Sequence, residues 1–317
     1  MSAEVETMFY NYGKTEEEHR RLVPWHGLGE AVESALTSAD AIKKAGLDWK
    51  VISTPMFTDS GMEIPNYKAN IRDTDSKVLG VVSDRYQIVQ NIDAFDFTDS
   101  MIGEGCQYET AGSLFGGKKI FLLAKTDTVK ILDDEVEPYM CFTNNHDGFG
   151  SIKCCMTPVR VVCNNTLNLA LSKAKRVWST NHVGDLSSKL EEAKYTLGMA
   201  NNYMQELAKE ADVLAHTRVT EDQIAKILDE MFPVTTEDSD RRKRNIEEVK
   251  NSFYVCMFAP DILKFKGTAW QAVNAMSDFA THTAPKRATA SYAENNFDKV
   301  LNGHLFIDRL YSAVKAM

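Results

Sequence analysis

Positive charge and amide side chains are concentrated in one stretch of this sequence. From Gly148 to Gly184 there is no aspartate or glutamate, in a chain whose formal net charge is −9. A strand that runs into the first turn of a helix leaves backbone N–H groups free, and such groups bind phosphate, particularly beside basic side chains. We therefore expect the stretch to contact the phosphates of a nucleic acid. The residues expected to make these contacts are Lys153, Arg160, Asn164, Asn165, Lys173, Lys175 and Arg176.

Other cations and several aromatic residues fit the same chemistry. Proteins that bind single-stranded DNA combine a basic groove with aromatic rings on which bases stack. Further phosphate contacts are expected from Lys118, Lys119 and Arg85. The candidate stacking rings belong to Tyr86, Phe115, Phe149 and Trp178.

Each of these patterns also has a purely structural interpretation. Asn164 or Asn165 would serve as an ordinary helix N-cap, and Lys118 and Lys119 would be solvated residues at the tip of a hairpin. In the first case the buried side of the helix consists of Leu167, Ala170, Leu171, Ala174 and Trp178.

The most basic run of the chain, Arg241–Arg244, is expected to be a self-neutralised helix face. Acidic residues stand four positions away on either side, as in the pair of Asp238 and Arg242. Pairs with this spacing neutralise one another on a solvated helix. Contact with nucleic acid is the alternative for this run.

Cysteine and histidine residues of the same region are candidates for a metal site or a nucleophile. Adjacent Cys154 and Cys155 point to opposite faces of a strand, whereas zinc ligands usually come in pairs two to four residues apart. His146, Cys163 and His182 have no spacing that selects a catalytic pair. We therefore predict no metal, no cofactor and no catalytic residue, with a metal- or cysteine-dependent enzyme as the third-ranked alternative.

The composition is that of an ordinary globular protein, with 44% hydrophobic and 26% charged residues. The six cysteines form no regular framework, which indicates reduced thiols. The N-terminus lacks the apolar core of a signal peptide, and no run of about 18 apolar residues occurs. We expect a cytoplasmic protein that does not enter a membrane. Its acidity argues against coating nucleic acid with the whole surface and leaves room for a local basic groove.

The elements that must position these residues are predicted in three regions: a polar arm over residues 1–24, an α+β sheet domain over 25–184 and a helical region over 185–317. Strand-length runs separated by turn residues predict an antiparallel or mixed, hairpin-rich sheet with packed helices. Gly116-Gly117 suits one tight turn, and Asp84-Arg85 would join two further strands. The predicted fold class is α+β, followed by a mainly helical C-terminal region.

Helix signals dominate the last third of the chain. Thr220 and Gln223 form a capping box at the start of one helix. Before it, apolar residues at alternating spacings of four and three run from Leu186 to Leu214. This heptad seam predicts either a helical hairpin packed on the protein's own helices or a contact between subunits.

Six segments, in order between about Trp25 and His282, carry a family resemblance. Their sequences are PWHGLGE, AGLDWKV, VVSDRYQIVQN, YETAGSLFGGKKIFLLAK, NNHDGFGSIKCCMTPVRVVCNNTLNLAL and GTAWQAVNAMSDFATH. Together they resemble the phage/plasmid-like family of unknown function found on phages, plasmids and prophages. The resemblance implies a mobile-element protein that acts in the cytoplasm of a bacterial host. In architecture alone, the chain is also similar to phage single-strand annealing proteins, whose rings or filaments hold single-stranded DNA in a basic groove.

These observations predict a single-stranded DNA-binding and annealing protein of a phage or other mobile element, associated with DNA recombination. It would act as a homo-oligomer, in a ring or a filament, without a cofactor and without being an enzyme. The heptad seam would help its subunits associate. The alternative is a protein-binding module that inhibits a host defence or restriction factor, because inhibitors that mimic DNA present acidic surfaces.

Overall fold

The fold is α+β, as the sequence predicts, with sheets in the N-terminal half and most helices in the C-terminal half. The computed structural model describes residues 8–11, 30–32, 36–103, 108–126, 128–160, 177–197, 200–283 and 304–317, and the single positions 287, 289, 292, 295, 296 and 299. In chain order, the described strands are β1 (Met8–Asn11), β2 (Glu30–Val32), β3 (Val51–Phe57), β4 (Glu63–Arg72), β5 (Val78–Ser83), β6 (Tyr108–Leu114), β7 (Lys119–Lys125), β8 (Val129–Ile131), β9 (Asp134–Asn145), β10 (Ile152–Arg160) and β11 (Val177–Thr180).

These strands form two sheets. The larger sheet has the order β11-β10-β9-β7-β6-β1-β2, and β8 pairs with the other part of β9. It is mixed, because β1 and β2 are parallel while its other described pairs are antiparallel. The smaller sheet is antiparallel and has the order β3-β4-β5.

Two of the described helices precede the large sheet's central strands and six follow its last strand. They are α1 (Ser38–Lys44), α2 (Asn91–Ile102), α3 (Leu186–Leu197), α4 (Ala200–His216), α5 (Glu221–Met231), α6 (Asp240–Met257), α7 (Ala269–His282) and α8 (Leu305–Lys315). The predicted capping box at the start of α5 is confirmed: Thr220 accepts a hydrogen bond from the backbone of Gln223 and its own N–H donates to the Gln223 side chain. None of the helices within the described ranges combines the length and the apolar character needed to cross a membrane.

The tight turn between β6 and β7 depends on its glycines. Gly116 and Gly117 have φ values of 69° and 88°, which glycine adopts without the steric cost that a Cβ imposes. The predicted hairpin is confirmed, with Leu114 opposite Lys119 across it.

A single large core joins the sheet region to the helices. Alternate residues of β7, such as Ile120 and Leu122, are fully buried in it together with Trp270 of α7. Nζ of Lys264, just before α7, donates to the buried carboxylate of Asp134 on β9 at 3.1 Å. The other face of the large sheet carries a second, smaller apolar cluster. Its members are Leu114, Phe121, Leu123, Tyr139, Cys141 and Cys155.

The heptad seam is used inside the molecule. Ala193 of α3 and Leu207, Ala211 and Leu214 of α4 are at most 1% exposed within the main core, while residues 198–199 lie outside the described part of the chain. These side chains are buried within the protein, as the first interpretation requires, but the helical hairpin itself stays a prediction, because α3 packs mainly on β10 and β11 and α4 on α7 and β8. These four side chains are not available to a second subunit.

Two local predictions are wrong because pairing with distant residues overrides the local pattern. The helix expected to include Trp178 does not reach it, since Val177–Thr180 is strand β11 and Trp178 pairs with Cys154 of β10. Asp84-Arg85 does not join two strands. Residues 86–90 instead run beside the segment that follows β11 of the large sheet, where the N–H of Gln87 donates to the carbonyl of His182 at 2.8 Å.

Candidate nucleic-acid interface

The small sheet meets the large sheet at the loop between β9 and β10. Gly80 of β5 lies so close to this loop that a Cβ there would overlap the backbone of Asp147. Nδ2 of Asn70 on β4 donates to the carbonyl of His146 at 2.9 Å. The loop is thereby held between the sheets, and it forms one wall of a groove of about 580 Å³. This junction groove is lined by residues 81–83, Tyr86, 148–151 and 181–183.

A buried histidine anchors the loop. Nε2 of His146 lies 3.0 Å from Oδ1 of Asn91. The amide nitrogen of Asn91 donates to two backbone carbonyls, so its Oδ1 accepts and Nε2 of His146 carries the proton. Burial, and less strongly the nearby His182, lowers the pKa of His146 to about 3. The imidazole is therefore neutral at physiological pH and acts as a structural support.

Two stacked rings form the floor of the junction groove. The centroids of Tyr86 and His182 are 4.4 Å apart and their planes differ by 13°. The Tyr86 hydroxyl donates to the carbonyl of Asn145 at 2.5 Å, and Nδ1 of His182 lies 2.9 Å from the carbonyl of Gln87. Tyr86 is only 6% exposed. Its ring already stacks within the protein, which corrects the base-stacking role predicted for it.

Phe149 is the aromatic candidate that faces solvent. Its side chain is 93% exposed at the mouth of the junction groove. The backbone N–H of Phe149 donates to Oδ1 of Asp147 at 2.9 Å, which fixes the local turn. A Cβ at Gly150 would overlap the side chain of Asn145. Because Gly148 and Gly150 have no side chains, both faces of the Phe149 ring remain open along the chain.

Two predicted cations are exposed beside this loop. Arg85 lies in the turn closed by the N–H of Tyr86 on the carbonyl of Ser83, at 3.0 Å. The carbonyl of Lys118 accepts from the N–H of His146 at 2.7 Å, so Lys118 adjoins the loop from the β6–β7 hairpin. Within the described residues, neither cation has an ion-pair partner.

A further cation near the loop is one that sequence reasoning missed. Lys77, the residue before β5, extends its ammonium group to the β6–β7 turn, where a Cβ at Gly116 would crowd against it. The two residues are far apart in sequence and share no motif, so only the contact between the sheets reveals the proximity. Gly116 therefore serves both the turn and the approach of Lys77.

Lys119 and Lys153 lie on one face of the large sheet. Lys119 is opposite Asn145 and Lys153 is opposite Thr143, and residues two apart on β9 share a face. Lys119 is 8% exposed and Lys153 is half-buried. The structure thus brings the two predicted lysines together, but burial corrects the expectation of a direct phosphate contact at Lys119.

The two remaining aromatic candidates are not among the described residues that line the groove. Trp178 is 7% exposed and belongs to the main core, because its strand position opposite Cys154 faces the core side of the sheet. Phe115 is half-buried against the second apolar cluster. The stacking role predicted for Trp178 is therefore corrected to a core role.

Much of the acid-free stretch lies outside the described residues. Arg160 ends β10, but its side chain is also outside the description. Its phosphate contact stays a prediction. The same holds for Asn164, Asn165, Lys173, Lys175 and Arg176.

The outer face of the small sheet exposes apolar side chains that sequence reasoning did not single out. Ile52, Tyr67, Val78 and Val81 are between 46% and 56% exposed. Their strands pair in register, with Ala69 opposite Val81. The alternation of apolar and polar residues along β4 indicates a strand with one apolar and one polar face. It does not reveal that the apolar face is exposed to solvent.

The buried cysteines of the described region are held as thiols. Burial raises the pKa of Cys154 well above its ordinary value. A hydrogen bond with Cys155, together with burial, does the same for Cys141. Neither is a thiolate nucleophile at neutral pH. Across the described ranges, no group of three histidine, cysteine, aspartate or glutamate residues is arranged to hold a metal ion, while Cys163 lies outside them.

Comparison with known proteins gives one match. The profile of a family described as "Domain of unknown function (DUF932)" matches residues 78–301. Every residue that lines the junction groove falls within this range. None of the curated proteins and none of the solved structures matches the chain.

Proposed function

We propose that this chain, which belongs to the DUF932 family, binds single-stranded DNA along the junction groove and promotes strand annealing for a phage or other mobile element. Binding would rest on stacking and on neutralised phosphates, with no catalytic residue and no cofactor. Several copies would assemble on one strand in the cytoplasm of the host bacterium.

The exposure of Phe149 is the observation that carries the proposal. A phenylalanine left in water forgoes about 1.5–3 kcal/mol of burial free energy. Here the ring is 93% exposed, is flanked by two glycines and stands at the mouth of a groove. A base can stack on such a ring whatever its identity, because every base has a π-face.

The charges around the groove favour a polyanion. Arg85 and Lys118 are exposed near Phe149, and Lys77 and Lys153 add positive charge on adjoining elements. The carboxylate of Asp147 accepts from the N–H of Phe149 and is therefore directed at the backbone. The described residues that line the groove are uncharged, so Arg85 and Lys118 on the neighbouring elements would have to neutralise a phosphate backbone that passes it.

The proposal is tested by the affinity of the full chain for a fluorescent thymine oligonucleotide, measured by anisotropy at low salt. Phe149→Ala should weaken binding by about fivefold to one-hundredfold, since stacking contributes about 1–3 kcal/mol per base. Phe258→Ala removes another exposed phenylalanine, 61% exposed at the end of α6, and should leave affinity unchanged. The proposal would be contradicted if the unmodified chain did not bind the oligonucleotide, or if both substitutions weakened binding equally.

Self-association is a separate part of the proposal. The heptad seam is buried, so copies would have to meet through other surfaces and cooperate along the strand, as single-strand binders commonly do. Mass measurement in solution with and without the oligonucleotide should show oligomers that increase with DNA. A protein that is monomeric in both conditions would contradict self-association but not the binding of DNA in the junction groove.

A second candidate function is inhibition of a host defence or restriction protein. The exposed apolar face of the small sheet favours it, because uncovered apolar patches mark protein-binding sites, and the net charge of −9 suits a partner that binds DNA. Val78→Asp should then abolish inhibition of the defence system in cells while oligonucleotide affinity stays unchanged. Loss of oligonucleotide affinity in Phe149→Ala with unchanged inhibition would separate the two functions.

A further inference from the structure

A second concave site lies in the helical region. Its residues come later in the sequence than those of the junction groove. It has a volume of about 710 Å³ and is formed by α6, the end of α7, the start of α8 and described positions between them. This size is typical of small-molecule sites, which range over about 300–1,000 Å³. We call it the helical cleft.

Three of the described residues that line the helical cleft are cations. Arg241 comes from the first turn of α6, and Arg287 and Lys299 from the connection between α7 and α8. All three are exposed, and within the described residues none has an ion-pair partner. Among the described residues of the lining, Glu248 supplies the one carboxylate. Arg241 belongs to the basic run expected to be self-neutralised, and in that run the predicted pair of Asp238 and Arg242 is confirmed at 2.7 Å.

The opposite part of the lining is aromatic. The rings of Phe279 and Phe306 lie 6.3 Å apart, and His304 lies 5.0 Å from Phe306. Nδ1 of His304 accepts from the N–H of Phe306, which orients its ring at the start of α8. Burial, and then the charge of Lys299, lowers the pKa of His304. Lys299 and the His304 ring are therefore close neighbours in the helical cleft.

We infer that the helical cleft binds a nucleoside phosphate. A guanidinium group can bind two phosphate oxygens at once, and the half-buried rings of Phe306 and Tyr292 in the lining can receive the base by stacking. The amide of Asn245, also in the lining, can donate to and accept from the edge of a base. Neither an uncharged aromatic compound nor a simple anion would use both halves of this lining.

This site is independent of the junction groove. The described residues that line the two sites do not overlap. Loss of nucleotide binding would therefore leave the oligonucleotide affinity set by Phe149 unchanged, and the two claims can fail separately.

The test is calorimetric titration of the full chain with adenosine monophosphate, adenosine and inorganic phosphate. Adenosine monophosphate should bind more tightly than either of its parts. Arg287→Gln and Lys299→Gln should each weaken it by about tenfold or more, as expected for hydrogen bonds to charged groups. Arg309→Gln, an exposed arginine of α8 outside the lining, is the matched control and should bind as the unmodified chain does.

Three results would overturn the inference. The first is an absence of binding by adenosine monophosphate and by the corresponding guanosine, cytidine and uridine compounds. The second is adenosine or inorganic phosphate binding as tightly as the nucleotide, because one half of the lining would then be unused. The third is nucleotide affinity that survives both Arg287→Gln and Lys299→Gln in chains whose thermal stability is unchanged.

Discussion

At the scale of single residues, the junction combines one exposed ring with several buried polar groups that hold it in place. Phe149 is open to solvent only because the loop beneath it is fixed by His146 and by the contact with Gly80. Tyr86 and His182 form a rigid floor, so the space in front of Phe149 is preorganised. Preorganisation lowers the entropy that a ligand must lose on binding.

Neutral His146 should make the stability of the fold depend on pH. Its pKa is about 3 in the folded protein and 6.5 ordinarily. Between these two pH values the imidazole binds a proton in the unfolded chain but not in the folded chain. The free energy of unfolding is therefore unaffected by this group above pH 6.5, and it should fall by up to about 1.4 kcal/mol per pH unit as the pH falls from 6.5 towards 3. Urea unfolding on both sides of pH 6.5 measures the slope.

The matched variants for this prediction are His146→Gln and His216→Gln. The first should lower stability at neutral pH and flatten the slope, whereas the second replaces an exposed histidine of α4 and should leave the slope as it is. A slope that does not respond to His146→Gln would show that another group is responsible.

At the scale of elements, the sequence predicted correctly those features that neighbouring residues determine, namely a helix cap and a tight turn. The Thr220 and Gln223 capping box and the Gly116-Gly117 turn are decided by neighbours in sequence, and both are present as expected. The positions of Trp178 and Tyr86 were not predictable in this way. Trp178 is fixed by pairing with Cys154, and Tyr86 by a ring 96 positions away, so a pattern within either segment could not show burial.

The buried heptad seam gives a prediction at this scale. Leu207→Ala should lower the free energy of unfolding by about 2–5 kcal/mol, because it opens a cavity in the main core. Val213→Ala, on the same helix with 57% exposure, should change it by less than about 0.5 kcal/mol. Neither should alter the solution mass. A change of oligomeric state in Leu207→Ala without loss of stability would return the seam to a subunit interface.

At the scale of the whole molecule, charge is unevenly distributed over an acidic chain. The negative net charge alone disfavours binding to DNA. Exposed cations that have no ion-pair partner among the described residues nevertheless lie beside the junction groove and in the helical cleft. The sequence indicated the first through Arg85 and the lysines next to the Gly116-Gly117 turn, which lie outside the acid-free stretch. It did not indicate the second, because Arg241, Arg287 and Lys299 are separated by acidic segments and converge only when α6, α7 and α8 pack.

Salt dependence tests the charge distribution at this scale. The logarithm of oligonucleotide affinity should fall linearly with the logarithm of salt concentration, with a slope of about 0.7 for each phosphate neutralised on a single strand. Arg85→Gln and Lys118→Gln should each reduce the slope by about that amount, and Arg309→Gln should not. Equal slopes in all four proteins would exclude phosphate contacts at the junction.

The central claim, that a single strand lies across the junction groove, is tested most directly by ultraviolet crosslinking of a thymine oligonucleotide to the unmodified full chain, followed by mass spectrometry of its peptides. We predict that the crosslinked nucleotide is found on the peptide that contains Phe149, and that the signal disappears in Phe149→Ala but persists in Phe258→Ala. Crosslinks confined to peptides outside residues 81–86, 145–153 and 177–183 would contradict the account.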